Sequence, residues 1–143
     1  MAEVITHVMA EHGMRVESVF FYAESVGTGV AVEMAKRKLG SRLILVSPFT
    51  SSVDIAMKYF PFRILNEWWV EDKFDNLSKA REITTPVLLI RGERDEFFPL
   101  KMSQKLHEAF LNSQLLILRD AWHEDIYRFM NEDIMNRILN FFR

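Results

Sequence analysis

Apolar residues fall at Val4, Ile5, Val8 and Met9, and that spacing predicts a helix over residues 2–11 with Gly13 as its stop. Residues 15–23 read differently. Val16, Val19, Phe20, Phe21 and Tyr22 make a near-continuous apolar run, the pattern of a strand buried on both faces in a parallel sheet. A helical pattern follows over 26–39 and closes at Gly40. Residues 43–46 form a second apolar strand, stopped at Ser47-Pro48. The stretch 49–83 is less regular and rich in aromatics, with one helix expected within 51–60 and a short helical turn over 77–81. Val87, Leu88, Leu89 and Ile90 mark a third strand over 86–91. An amphipathic helix over 101–111 turns Leu106 and Phe110 inward, and a fourth strand covers 115–118. A closing helix over 132–142 carries Ile134, Ile138, Leu139 and Phe142 on one stripe.

Strands alternating with helices imply crossover units, hence an α/β fold: a parallel four-stranded sheet with flanking helices. No repeat, low-complexity tract or linker divides the chain, so residues 1–143 are expected to form one domain, with 49–83 as a cap-like insertion. A chain of 143 residues typically buries ~70% of its unfolded surface, enough for a core.

Composition narrows the function. A net charge of −2 supplies no bulk field for nucleic acid or an anionic membrane. The basic run Lys36-Arg37-Lys38 ends a predicted helix, where it complements the dipole. The sequence has no cysteine, which excludes disulfides, thiolate metal sites and cysteine nucleophiles. Its histidines and carboxylates lack metal-ligand spacing, so neither a metal nor a cofactor is expected. No apolar run reaches the roughly 18 residues of a membrane helix, and residues 1–10 lack the layout of a signal peptide. A cytoplasmic location is the resulting expectation.

Candidate chemistry begins at Ser25, in the run Ala23-Glu24-Ser25-Val26-Gly27 between a strand and a helix. The run is close to G-x-S-x-G, the nucleophile elbow, with alanine at the first glycine. Small residues suit such a turn because strand and helix crowd it, and Gly27 and Gly29 are expected to let the helix pack closely on neighbouring strands. A plain strand-to-helix turn with Ser25 as N-cap is the simpler alternative. Asp95 follows the third strand and His123 the fourth, both at the carboxyl edge where open α/β sheets bind ligands. A serine hydroxyl needs a histidine to take its proton and an acid to orient that histidine. Taken singly, Asp95 reads as a charged turn and His123 as structural. Together, serine, acid and histidine follow successive strands in the order the elbow motif requires. His7, His12 and His107 sit in helical patterns and are read as structural, and Asp120 and Asp125 as local capping groups.

On these residues the chain resembles the α/β-hydrolase superfamily over almost its whole length, but only the later part of that fold. Ala23 to Gly29 matches the elbow, Gly92 to Pro99 the acid loop and Ala121 to Asp125 the histidine loop. Pro48-Phe49-Thr50-Ser51 with the aromatics through Trp69 resembles the branch of membrane-associated hydrolases and protein-depalmitoylating thioesterases. The resemblance implies Ser25 as nucleophile, Asp95 as acid, His123 as general base and the Val26 backbone N–H as one oxyanion donor. Family members carry further strands and an oxyanion loop before the elbow, where one helix precedes it here. The second donor is therefore expected to be missing, and activity to be weak. The strand at 15–23 is expected to be an open edge, covered by a second copy, a separate N-terminal fragment or rearrangement.

Three functions follow. The first is a serine hydrolase of carboxylic esters or thioesters, with Tyr59, Phe60, Trp68 and Trp69 lining an acyl pocket. The second is an inactive hydrolase remnant or interaction module. The third is a nucleotide-binding domain, since Gly27-Thr28-Gly29 follows a strand, but Val32 occupies the third glycine slot and no phosphate-binding lysine motif occurs.

Overall fold

A computed structural model describes residues 1–60 and 74–142. The elements run α1 (Ala2–Glu11), β1 (Phe20–Glu24), α2 (Gly27–Lys36), β2 (Arg42–Val46), α3 (Ser52–Tyr59), α4 (Asn76–Ala80), β3 (Val87–Gly92), α5 (Leu100–Ala109), β4 (Ser113–Leu118) and α6 (Glu132–Phe141). Short 3₁₀ turns at Val16–Ser18 and Ile126–Phe129 complete the order. The four strands form one parallel sheet in the order β1-β2-β3-β4.

Alternation along the central strands sorts their side chains onto two faces. Leu43, Leu45, Val87 and Leu89 pack with Ala31, Val32 and Ala35 of α2, Ala80 of α4 and Leu106 of α5. Ile44, Val46, Leu88 and Ile90 pack on the other face with Ile126 and with Ile138 of α6. Both faces are covered, which is why β2 and β3 are apolar without alternation. A third cluster, Phe49, Phe98 and Met102, closes over the carboxyl end of the sheet.

Several sequence expectations are corrected. The apolar run 15–23 is a strand only from Phe20, and it is not buried on both faces: Phe20 is 45% and Tyr22 48% exposed. Among the described residues it is an edge strand with one neighbour, and beside it lies a mostly apolar groove of about 440 Å³ lined by Phe21, Ala23, Val30, Ala31 and Met34 among others. Helix α2 ends at Lys36, short of the close expected at Gly40, and Lys38 follows it in the left-handed region (φ 59°). Leu139 faces solvent although it belongs to the predicted stripe of α6, and α1 buries no residue. The turn at Ile126–Phe129 has no counterpart in the sequence reading.

Candidate active site

Ser25 sits between β1 and α2 with φ 50°, in the left-handed region that a non-glycine residue enters at a cost. The turn is held from both sides. The Ser25 N–H donates to the Val46 carbonyl (2.9 Å), and the Thr28 hydroxyl and N–H donate to the Ser25 carbonyl (2.6 and 3.0 Å). Ser25 is not the helix cap: Val26 holds the N-cap position of α2, without a side-chain bond. The Val26 N–H has no backbone acceptor among the described residues, and its side chain is exposed. The glycines act differently from expectation. A Cβ at Gly29 would meet the Phe74 ring at 2.7 Å, outside the sheet, whereas a Cβ at Gly27 would meet none of the described residues within 4 Å.

The Ser25 Oγ lies 3.0 Å from His123 Nε2, and His123 Nδ1 lies 2.7 Å from Asp95 Oδ2. An ionised carboxylate only accepts, so Nδ1 carries the proton and Nε2 is left to accept from the serine hydroxyl. Asp95 is a buried carboxylate, and its other oxygen accepts from the N–H groups of Phe97 and Phe98 (3.0 Å each). Those two residues also pack ring edges on the imidazole, at centroid distances of 5.0 and 5.3 Å. The acid loop thus orients the histidine through a hydrogen bond and packs two rings against it.

The histidine loop reaches this position because Gly92 ends β3. A Cβ there would lie 2.5 Å from the Ala121 carbonyl oxygen, which instead accepts from the Arg94 N–H (2.9 Å). Within the loop, Asp125 accepts from the Trp122 N–H (2.7 Å), the capping role expected of it. Asp120 pairs with Arg94 (2.5 Å).

Sequence reasoning passed over Arg91, a fully buried cation on β3 whose Nη1 lies 3.3 Å from Asp95 Oδ2. The contact is misaligned for a hydrogen bond, and none of the guanidinium nitrogens has a hydrogen-bond partner among the described residues. Burial pulls the guanidinium below its ordinary pKa, and the Asp95 charge opposes that shift. The available signal was a charge inside the apolar strand Val87–Gly92. Phe97, Phe98, Glu24 and Tyr127 were likewise unassigned.

Of the residues expected to line a substrate pocket, Tyr59 donates its hydroxyl to the Phe97 carbonyl (2.8 Å) and so stands beside the acid loop. Lys58 reinforces this join by donating to the carbonyls of Glu96 (2.5 Å) and Phe97 (2.7 Å). Phe60 is exposed, and Trp68 and Trp69 lie outside the described residues. Among the described residues no group of three or more acidic or histidine side chains could hold a metal ion, and no helix is long and apolar enough to cross a membrane.

Residues 5–124 match the family model described as serine hydrolase (FSH1). The chain belongs to the FSH1 serine hydrolase family. It is 33% identical over 116 residues to alpha/beta hydrolase domain-containing protein 17B of Homo sapiens, a match that covers 80% of this chain and 38% of that protein. The chain therefore spans well under half of that relative. Among solved structures, it resembles MGS-M2, an alpha/beta hydrolase from a Medee basin deep-sea metagenome library, with a TM-score of 0.73 at 16% identity, covering 99% of this chain and 70% of that one. It also resembles the acetyl xylan esterase of Paenibacillus sp. R4, with a TM-score of 0.74 at 14% identity, covering 99% of this chain and 49% of that one. These likenesses establish the α/β-hydrolase fold, of which this chain spans a part.

Proposed function

We propose that this chain carries the catalytic triad of a serine hydrolase acting on carboxylic esters or thioesters. The observation that carries the reading is the relay from Ser25 through His123 to Asp95, 3.0 and 2.7 Å long. His123 takes the serine proton as Oγ attacks the acyl carbon, and Asp95 stabilises the resulting imidazolium. Collapse of the tetrahedral intermediate expels the alcohol or thiol, protonated by His123. The same imidazole then activates water to hydrolyse the acyl-Ser25 ester. The Val26 N–H stabilises the oxyanion as one donor. A second donor is worth ~100–1000-fold in rate, so polypeptide that adds the oxyanion loop of the family accelerates the reaction.

Tyr59 and Phe60 line the path of the acyl chain, while Trp68 and Trp69, expected beside them, lie outside the described residues. The contact of Tyr59 with Phe97, whose ring packs on His123, supports this placement. The resemblance to depalmitoylating thioesterases makes a long-chain thioester the first substrate to assay.

The open edge of β1 supports a companion reading, in which a further strand from another polypeptide segment pairs with Phe20–Glu24. That segment is a second copy of the chain or the N-terminal portion of the fold.

A fluorophosphonate probe tests the acyl-enzyme reading. Labelling of Ser25 that disappears in Ser25→Ala is the expected result. Folded protein that stays unlabelled, alone and with an added N-terminal segment, sinks the reading in favour of an inactive interaction module.

A further inference from the structure

His123 sits on the loop between β4 and the turn Ile126–Phe129, while Ser25 follows β1 at the far edge of the sheet. Two strands separate β1 from β4, so the sheet ladder does not itself bring imidazole and hydroxyl together. The loop must be tied at both ends. Its first end is tied to the acid strand: Arg94 donates to the Ala121 carbonyl, and the Asp120 N–H donates to Glu93 Oε2 (3.3 Å). The Asp125–Trp122 bond closes the loop on itself and fixes nothing outside it.

The second end is tied to the elbow strand. The Tyr127 hydroxyl donates to Glu24 Oε2 (2.5 Å), and Glu24 is the residue before Ser25. Tyr22 Oη lies 3.0 Å from the same Tyr127 oxygen, so a second side chain of β1 joins the tie. The contact spans 103 positions of sequence. A phenol bonded to a carboxylate is a charge-assisted pair, stronger than a neutral one. Partial burial and the Glu24 contact raise the Tyr127 pKa, which keeps the hydroxyl protonated and donating.

We propose that Tyr127 is a positioning residue: its hydrogen bond to Glu24 holds the histidine loop against the elbow and sets the distance from His123 to Ser25. Tyr127 touches neither triad member through a described hydrogen bond, so it acts through the loop that bears His123. The proposal deepens the serine-hydrolase reading and rests on it.

The experiment compares wild type, Tyr127→Phe, Glu24→Gln and Glu24→Leu in fluorophosphonate labelling rate, thermal midpoint and the downfield proton NMR signal of His123 Nδ1–H. A misplacement near 1 Å costs on the order of 100-fold in rate. Tyr127→Phe and Glu24→Leu are therefore expected to label about 10- to 100-fold more slowly, with a broadened or lost Nδ1–H signal. Glu24→Gln keeps an acceptor oxygen and retains most of the rate. The double variant of Tyr127→Phe and Glu24→Leu is no slower than Tyr127→Phe alone, because that change already removes the bond to Glu24. Wild-type labelling in Tyr127→Phe overturns the proposal, as does a loss that only tracks a falling thermal midpoint. If folded wild type does not label at all, the acyl-enzyme reading fails separately. The Nδ1–H signal then decides: an unchanged signal in Tyr127→Phe overturns the positioning role, and a lost one upholds it.

Discussion

Arg91 and Asp95 form a fully buried ion pair directly behind the candidate base, with Nη1 3.3 Å from the carboxylate oxygen that faces His123. A buried pair is costly to break and not costly to replace whole. Asp95→Asn leaves the guanidinium without its counter-charge and should destabilise the fold by about 3–5 kcal/mol. Arg91→Met alone also breaks the pair, whereas Arg91→Met combined with Asp95→Asn removes both charges and should be near neutral. Denaturant unfolding of both variants and their combination checks this. A combined variant that loses as much stability as Asp95→Asn alone contradicts it.

Ser25 is held at φ 50°, and the left-handed region costs a non-glycine residue about 1–3 kcal/mol. Ser25→Gly should therefore raise stability by about 1 kcal/mol, after the entropy of glycine offsets part of the gain, while abolishing probe labelling. A lowered melting temperature would show that the hydroxyl stabilises the fold more than the backbone strains it.

Gly92 and Ala121 stand too close for any side chain on the glycine, with 2.5 Å from the would-be Cβ to a carbonyl oxygen. The obstacle is backbone, so Gly92→Ala must move the histidine loop. A shift near 1 Å should cut the labelling rate of Ser25 on the order of 100-fold. Measuring labelling against circular dichroism separates a displaced loop from an unfolded chain. Unchanged labelling in the folded variant refutes the role given to this glycine.

Glu33 accepts from Lys79 (2.7 Å) and Arg37 (2.8 Å), and these bonds hold its carboxyl below the ordinary value of 4.5. Asp75 accepts from the Ser78 hydroxyl (2.5 Å) and N–H (3.0 Å), which hold it below 3.8. Both folded-state values lie under the unfolded ones, so protonation favours the unfolded chain. Their stabilisation is complete above the ordinary carboxylate values and is lost as pH falls through the folded values. Thermal melts from about pH 6 to 3 should show a steep acid limb that Glu33→Gln makes shallower. The Glu33 effect should shrink in high salt, since that site is partly exposed. An acid limb identical in wild type and variant rules this out.

Much of the site was legible because its parts are local. The elbow is a strand, a small residue, a serine and a helix in immediate succession, and each piece carries its own periodicity. Asp95 and His123 stood out as candidates because a parallel sheet sends the carboxyl ends of its strands to one side. Arg91 was missed because a cation in an apolar strand reads as the strand's end until its burial is known. Phe97 and Phe98 fall inside the acid-loop match at 92–99 without a role there, since aromatic pairs beside a turn are common and only their approach to His123 distinguishes them. Residues 15–23 were misread as doubly buried for a related reason. Apolar composition reports what a strand can bury, and burial also requires a neighbour on each side.

By itself the sequence determined the alternation of helices and strands, the parallel four-stranded sheet, and the order of serine, acid and histidine. Those follow from periodicities of two and of about 3.6 residues, which depend only on near neighbours in the chain. Only the tertiary structure decided that Phe20 and Tyr22 of β1 are half exposed, that Gly92 admits the histidine loop, and that Tyr127 reaches Glu24 from 103 positions away. Such contacts depend on strand order and register, and no local pattern encodes a distance between residues so far apart.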